Sequence, residues 1–290
     1  MRHRAESSRG EPIADPEAVG VRSESLTVPD VFRPAAVDTG TPPGGGAPLL
    51  LLHGWSCDGE DWAALLPLLS PHHRLLVPDL PGHGGTPDRP DRCAPREVAA
   101  DLAAWLRDLG TGPVIAVGHS MGGQVAGALA VEHPRLVHSV VTLATGYGGD
   151  GADAAARAAA EQEALLREGT AWAVRALADK FAEATPPALR RRHEGLLAAM
   201  DPGVLARYRE GMYLARGAFG LRSAAEVYLR RRRCPTLAVH SSAAAAAWER
   251  SLPAHPRSRV VLWEGAGHFL HEERPTELAR LLRSWCSPGG

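Results

Sequence analysis

Continuous apolar runs alternate with stretches of helical period along most of the chain. The first clear run, PLLLLHG from Pro48, stops at Gly54; HRLLVPDL (73–80), PVIAVGH (113–119), LVHSVVTLAT (136–145), PTLAVH (235–240) and RVVLWE (259–264) repeat the pattern. Unbroken apolar runs of this length fit strands covered on both faces, as in a parallel sheet, better than strands with one wet face. Between them, Val98, Leu102, Trp105, Leu106 and Leu109 fall on one helical face, as do Leu278, Leu281, Leu282 and Trp285. Pro275 stands where it would open that last helix. Strands alternating with amphipathic helices predict an α/β protein, a mostly parallel open sheet with helices on both faces.

One interval breaks the rhythm. About 90 residues separate the TLAT strand from PTLAVH, many times the usual connection length. Three stretches within it, 152–169, 171–184 and 187–200, have helical composition with Gly and Pro at their junctions. This predicts a helical lid over residues 148–232, inserted between a first core segment (23–147) and a second (233–290). Residues 1–22 and the GTPPGGGAP segment at 40–48 read as a mobile leader and a loop, and SESLTVP and FRPAAVDTG between them as short edge strands.

Composition narrows the function classes. The 290 residues are 44% hydrophobic and 22% charged, ordinary for a globular protein, and the net charge of −1 supplies no field to hold nucleic acid or an anionic membrane. Arg190 to Arg192 and Arg230 to Arg233 read as solvated helix ends. Cys57, Cys93, Cys234 and Cys286 lack CxxC spacing, which fits reduced thiols in a cytoplasm. The N-terminus has no signal-like apolar segment, and no run approaches the ~18 apolar residues of a membrane span. A cytoplasmic protein acting on a small-molecule substrate, with no nucleic-acid or membrane partner, is the expectation, and the oligomeric state is open. No HExxH or similar ligand spacing occurs, so no metal or other cofactor is expected.

The candidate chemistry centres on VGHSMGG. Ser120 closes an apolar strand and opens a helix, a turn so sharp that the residues two positions either side must be tiny; Gly118 and Gly122 meet that demand. Such a turn lifts the hydroxyl above the sheet edge and aims the first helical N–H groups at the same point. A serine hydroxyl needs a base. Of the 13 histidines, His268 follows the last strand through Gly265-Ala266-Gly267, a turn that returns the chain to the carboxyl edge of the sheet. His271 reads as a neighbour of the lid, His53 and His119 as supports of backbone geometry, and His83 and Asp79 as loop and turn structure.

In LLLLHGWSCDGEDW, LLVPDLPGHGGT, VGHSMGG and WEGAGHFLHEERP, in this order over residues 47–287, the chain resembles the α/β-hydrolase superfamily. The resemblance implies Ser120 as nucleophile, His268 as base, and the backbone N–H groups of Trp55 and Met121 as an oxyanion hole, with Trp55, His119 and Tyr147 as substrate contacts. It also exposes a departure. The family's acid usually follows the strand matching PTLAVH, and here the chain reads SSAAAAAWERS, with Ala243 and Ala244 in the expected slots and Glu249 the nearest carboxylate. Three readings stay open: an acid moved to the end of the preceding strand, where Asp150 is favoured over Asp153; a Ser/His dyad; or a site that no longer hydrolyses esters. The leading expectation is cleavage of an ester, thioester or lactone of a small, largely apolar metabolite through a Ser120 acyl-enzyme. The alternatives are a lyase, elimination, cyclisation or cofactor-free oxygenation without an acyl-enzyme, and a non-catalytic ligand-binding protein.

Overall fold

A strand buried on both faces sends alternate side chains into two different cores. In β2 (Gly46–Leu52), Leu49 and Leu51 enter one apolar cluster and Leu50 and Leu52 the other, all without solvent exposure. The same division holds for Leu75 and Leu76 in β3 (His73–Pro78), Ile115 and Ala116 in β4 (Val114–His119), and Val140 and Val141 in β5 (Val137–Leu143). These strands, with β1 (Ala36–Asp38), β6 (Thr236–His240) and β7 (Arg259–Leu262), form a seven-stranded sheet in the order β1-β3-β2-β4-β5-β6-β7. Only β1 runs antiparallel, paired with β3. The α/β expectation is met.

The computed structural model describes residues 32–287. The leader at 1–22 and the SESLTVP strand lie outside the described residues, whereas FRPAAVDTG contributes β1. Two helical layers cover the sheet. The helices α1 (Leu66–Leu69) and α11 (Pro275–Cys286) share a core with the odd-numbered β2 leucines. The helices α2 (Pro95–Asp108) and α3 (Met121–Glu132) share the other core, with Val98, Leu102, Trp105 and Leu106 of α2 buried as their spacing predicts.

Five helices fill the interval between β5 and β6: α4 (Gly151–Glu168), α5 (Thr170–Leu177), α6 (Pro187–Ala199), α7 (Pro202–Tyr213) and α8 (Arg222–Leu229). The second sequence stretch overshoots, because after a 3-10 turn at Ala178–Lys180 the chain turns extended at Phe181. After β6, α9 (Ala243–Ser251) begins at once, capped by Ser242, whose hydroxyl accepts from the Ala245 N–H at 3.3 Å. The alanine run is therefore a helix start. The chain then passes through β7 and the short α10 (Leu270–Glu273).

Strand order fixes where a ligand can sit. From β2 the chain crosses to β3 on one side, and from β4 it proceeds to β5 on the other, so the loops after β2 and β4 diverge. A crevice opens at such a switch point, outside the carboxyl ends of the strands. His53-Gly54 leaves β2 there, and Ser120 leaves β4.

Candidate active site

Ser120 adopts φ 49° and ψ −114°, a conformation that a side-chain-bearing residue holds only under strain of roughly 1–3 kcal/mol. The neighbours over-determine it. The Ser120 N–H donates to the Leu143 carbonyl at 2.9 Å, and its own carbonyl accepts from Gly123 at 3.0 Å. A Cβ at Gly118 would strike the Gly122 carbonyl, and one at Gly122 the Leu52 carbonyl. The strand and helix thus cross at backbone contact, and the serine is pushed out at the crossing.

His268 reaches the same place from the other end of the chain. After β7, Gly265 turns with φ 74°, and the Gly267 N–H donates to Glu273 Oε2 at 2.6 Å. The His268 N–H then donates to the Lys180 carbonyl at 2.9 Å, tying this loop to the inserted helices. Ser120 and His268 line one cavity of about 440 Å³ together with Trp55, Met121 and His119. Burial, followed by the nearby Lys180, His271 and His193 charges, pushes the pKa of His268 down to about 3. Its imidazole is neutral, the form a base requires. Among the described residues neither its ring nitrogens nor Ser120 Oγ makes a hydrogen bond.

Around the pair the sequence-derived candidates separate. Met121 opens α3, so its N–H has no helical acceptor, and the Trp55 N–H has none among the described residues. The Trp55 indole donates to the Leu205 carbonyl at 3.1 Å, pinning the loop after β2 to α7. His53 steadies that loop from below: Nδ1 donates to the Gly54 carbonyl at 2.8 Å and Nε2 accepts from the Leu80 N–H at 2.9 Å. Asp79 accepts from Gly59 and Gly85 N–H groups at 2.7 and 2.8 Å, as a turn residue does.

Two candidates are not brought to the cavity. The Asp150 carboxylate is 63% exposed and pairs with Arg222 at 3.6 Å; none of its contacts is with His268. Tyr147 turns its ring into the core, 5.1 Å from that of Trp248, and only the glycines beside it reach the wall. Glu249 is buried 3.9 Å from His240, and burial raises its carboxyl pKa. The rings next to His268 are His119 at 4.7 Å and Phe269 at 5.4 Å.

The sequence reading missed much of the wall. Cys57 and Gln124 join it from the core, and Arg157, Glu161, Trp172, Arg209 and Tyr213 from the insertion. Arg209 is paired with Glu161 and lies over the Trp172 and Tyr213 rings at 5.8 and 5.2 Å. An alanine- and arginine-rich segment carries no local sign of this; the 3.6-residue period alone could have placed Ala154, Ala158 and Glu161 on neighbouring turns of one helix. Among the described residues no helix is long and apolar enough to cross a membrane.

Comparison with known proteins bears on the fold and the family. The chain is similar to a serine hydrolase-like protein of Danio rerio, at 41% identity over 108 residues, or 37% of this chain and 33% of that protein. It is also similar to the pimeloyl-[acyl-carrier protein] methyl ester esterase of Aeromonas hydrophila, at 37% identity over 107 residues, 35% of this chain and 39% of that enzyme. These matches span well under half the length of either relative. A thermophilic esterase from Thermogutta terrifontis superposes with a TM-score of 0.73 at 27% identity, covering 87% of this chain and 92% of that one. The enol-lactonase of Burkholderia xenovorans LB400 shares the fold, with a TM-score of 0.70 at 19% identity over 87% of this chain and 95% of that one. The family model described as the alpha/beta hydrolase family matches residues 49–281, and the chain belongs to that family.

Proposed function

We propose that the protein is a serine hydrolase that cleaves an ester, thioester or lactone of a small, largely apolar metabolite. The observation that carries this reading is the meeting of Ser120, on its strained elbow, with a neutral His268 at one cavity. Ser120 Oγ attacks the carbonyl carbon while His268 takes its proton. The N–H groups of Trp55 and Met121 receive the charge that gathers on the carbonyl oxygen, and fixed donors do so without reorienting. His268 returns the proton to the leaving group, and water resolves the acyl-enzyme by the reverse sequence.

The acid is absent from this scheme. Asp150 is turned to solvent, and no carboxylate is among the groups that set the His268 pKa. A Ser/His dyad is the reading that fits, the imidazole being held by packing between His119 and Phe269. The wall residues Trp55, Met121, Trp172, Leu177, Met212 and Phe269 suit an apolar acyl or ring portion, and a cavity of about 440 Å³ suits a small molecule. The inserted helices act as the lid that closes over it. The esterases among the similar proteins support the same chemistry.

A second reading has a specific observation in its favour: a base without an acid partner also suits proton abstraction with no acyl-enzyme. Treatment with a fluorophosphonate separates the two. The hydrolase reading expects one adduct on Ser120 by intact mass, absent in Ser120→Ala, with turnover of short acyl esters lost in both Ser120→Ala and His268→Ala. Turnover retained by Ser120→Ala but not by His268→Ala selects the second reading. No adduct and no turnover across acyl lengths overturns both.

A further inference from the structure

Beside Ser120, with Cys57 and His119 in the wall of the same cavity, lies a group of ligand-type atoms that take no part in the hydrolytic scheme. His119 precedes Ser120 in the chain, and its Nε2 lies 3.0 Å from the His268 carbonyl oxygen. A carbonyl only accepts, so the proton sits on Nε2 and Nδ1 keeps its lone pair. That Nδ1 is buried and meets no donor among the described residues. Asp61, 1% exposed, has Oδ1 bonded to Arg192 Nη1 at 2.5 Å, while its Oδ2 is buried and equally unmet. Cys57, 3% exposed, stands beside both: its sulfur, an Asp61 oxygen and a His119 nitrogen lie within 4.8 Å of one another. Gly54 keeps the approach clear, since a Cβ there would stand 2.8 Å from His119 Nδ1 and 3.5 Å from Cys57 Sγ.

Two buried acceptors that lack a donor within hydrogen-bond distance, beside a thiol, suit a cation. We propose that Cys57, Asp61 and His119 bind one transition-metal ion of the zinc class, a structural ion that braces the loop carrying His268. The donor set decides the class: sulfur and imidazole nitrogen with one carboxylate suit zinc, whereas calcium and magnesium take oxygens alone. Tetrahedral zinc with such ligands spaces them about 3.3–3.7 Å apart, so atoms now within 4.8 Å of one another draw together by up to about 1.5 Å on binding. His271, fully buried with both ring nitrogens unmet, has Nε2 3.9 Å from Asp61 Oδ2 but groups with Asp61 and Glu272 rather than with Cys57 and His119, so the chain supplies three ligands. The bond from His119 Nε2 to the His268 carbonyl is the outer support that metal-bound histidines use to fix ring and tautomer.

The proton and charge balance is closed. On binding, the Cys57 thiol loses its proton to form the S–metal bond. His193 Nδ1, 3.8 Å from the sulfur, is placed to accept that proton, with its Nε2 already on Glu272 Oε2 at 2.6 Å. Thiolate and Asp61 then offset the two charges of the ion, and Arg192 stays on the other carboxylate oxygen. None of this depends on which reaction Ser120 performs.

Cobalt titration of the chelator-stripped, full-length protein tests the proposal. The expected result is one Co²⁺ per chain, with a sulfur-to-cobalt charge-transfer band in the near ultraviolet and tetrahedral bands in the visible, all bleached by Zn²⁺. Cys57→Ala removes the charge-transfer band, and His119→Gln weakens binding at least about tenfold. Cys93→Ala, at a distant buried thiol, leaves the spectrum unchanged. Zn²⁺ raises the melting temperature of the wild type and not of Cys57→Ala. Should the alanine variant misfold, Cys57→Ser, checked by circular dichroism, takes its place. No charge-transfer band under excess Co²⁺, or a band that survives in the folded Cys57 variants, overturns the site. Fluorophosphonate labelling of Ser120 in the same samples reports the hydrolytic reading separately.

Discussion

Ser120 concentrates backbone strain in one pair of angles. A φ of 49° with ψ −114° suits glycine and strains every residue with a Cβ. Ser120→Gly is therefore expected to unfold at higher urea than Ser120→Ala, by about 1 kcal/mol, although both lose the fluorophosphonate adduct. Equal midpoints would show that the elbow stores no strain. The sequence discloses this residue because its demands are local: tiny neighbours at 118 and 122, an apolar strand before, a helix after. An acid partner makes no such local demand, and Asp150 satisfies the chain order Ser, Asp, His without satisfying the geometry. Asp150→Asn is expected to leave kcat/KM within about twofold, as for an exposed ion pair. A fall of about 100-fold or more in steady-state assays would return the relocated acid to the site. The atoms of Cys57, Asp61 and His119 are equally illegible, because the segment after β2 and the end of β4, distant in sequence, bring them together.

At the scale of elements, legibility follows burial. The strands β2 to β6 announce themselves because both faces are covered, so Leu49 to Leu52 are apolar without interruption. The helix α11 does so by the 3.6-residue spacing of Leu278, Leu282 and Trp285. The insertion is harder to read, since its helices α4 to α7 share only a small apolar cluster of Leu165, Ala173, Leu197, Leu205 and Ala206, each contributing one or two residues to it. The helix α5 buries only Ala173, and α6 only His193 and Leu197. Arg209 adds a polar contact to that cluster: from α7 it reaches Glu161 on α4 and covers Trp172 on α5, with its own side chain only 7% exposed. Loss of that guanidinium removes packing and cation–π contact together. Arg209→Ala is expected to cost about 2 kcal/mol in thermal unfolding and to raise KM more than it lowers kcat, since it loosens the cavity wall without touching Ser120 or His268. A kcat effect with KM unchanged would instead place Arg209 in the chemistry.

Across the whole molecule, the buried imidazoles set how stability depends on pH. His83 sits between His53 and Tyr208, with ring centroids 5.0 and 4.9 Å away, and its Nδ1 donates to the Pro81 carbonyl at 3.0 Å. Burial, and then the charge of His53, pushes its pKa down to about 3; burial and Arg250 push that of His240 down to about 4. In the unfolded chain both return to the ordinary histidine value of about 6.5. Between those limits the unfolded state binds more protons than the native state, so stability rises with pH through the window and levels off above it. The contribution is present at pH 7.5 and is lost as the pH falls below about 6.5, by roughly 2 kcal/mol per ring at pH 5. Glu249, raised by burial, works in the opposite sense, protonated in the native state where the unfolded chain is already ionised. His83 is therefore the cleaner probe. His83→Asn keeps a donor toward the Pro81 carbonyl and removes the titration, so the difference in urea-unfolding free energy between pH 7.5 and pH 5 is expected to shrink by about 2 kcal/mol. If it does not shrink, protonated His83 is tolerated in the folded core, and the acid sensitivity of the protein lies in other groups.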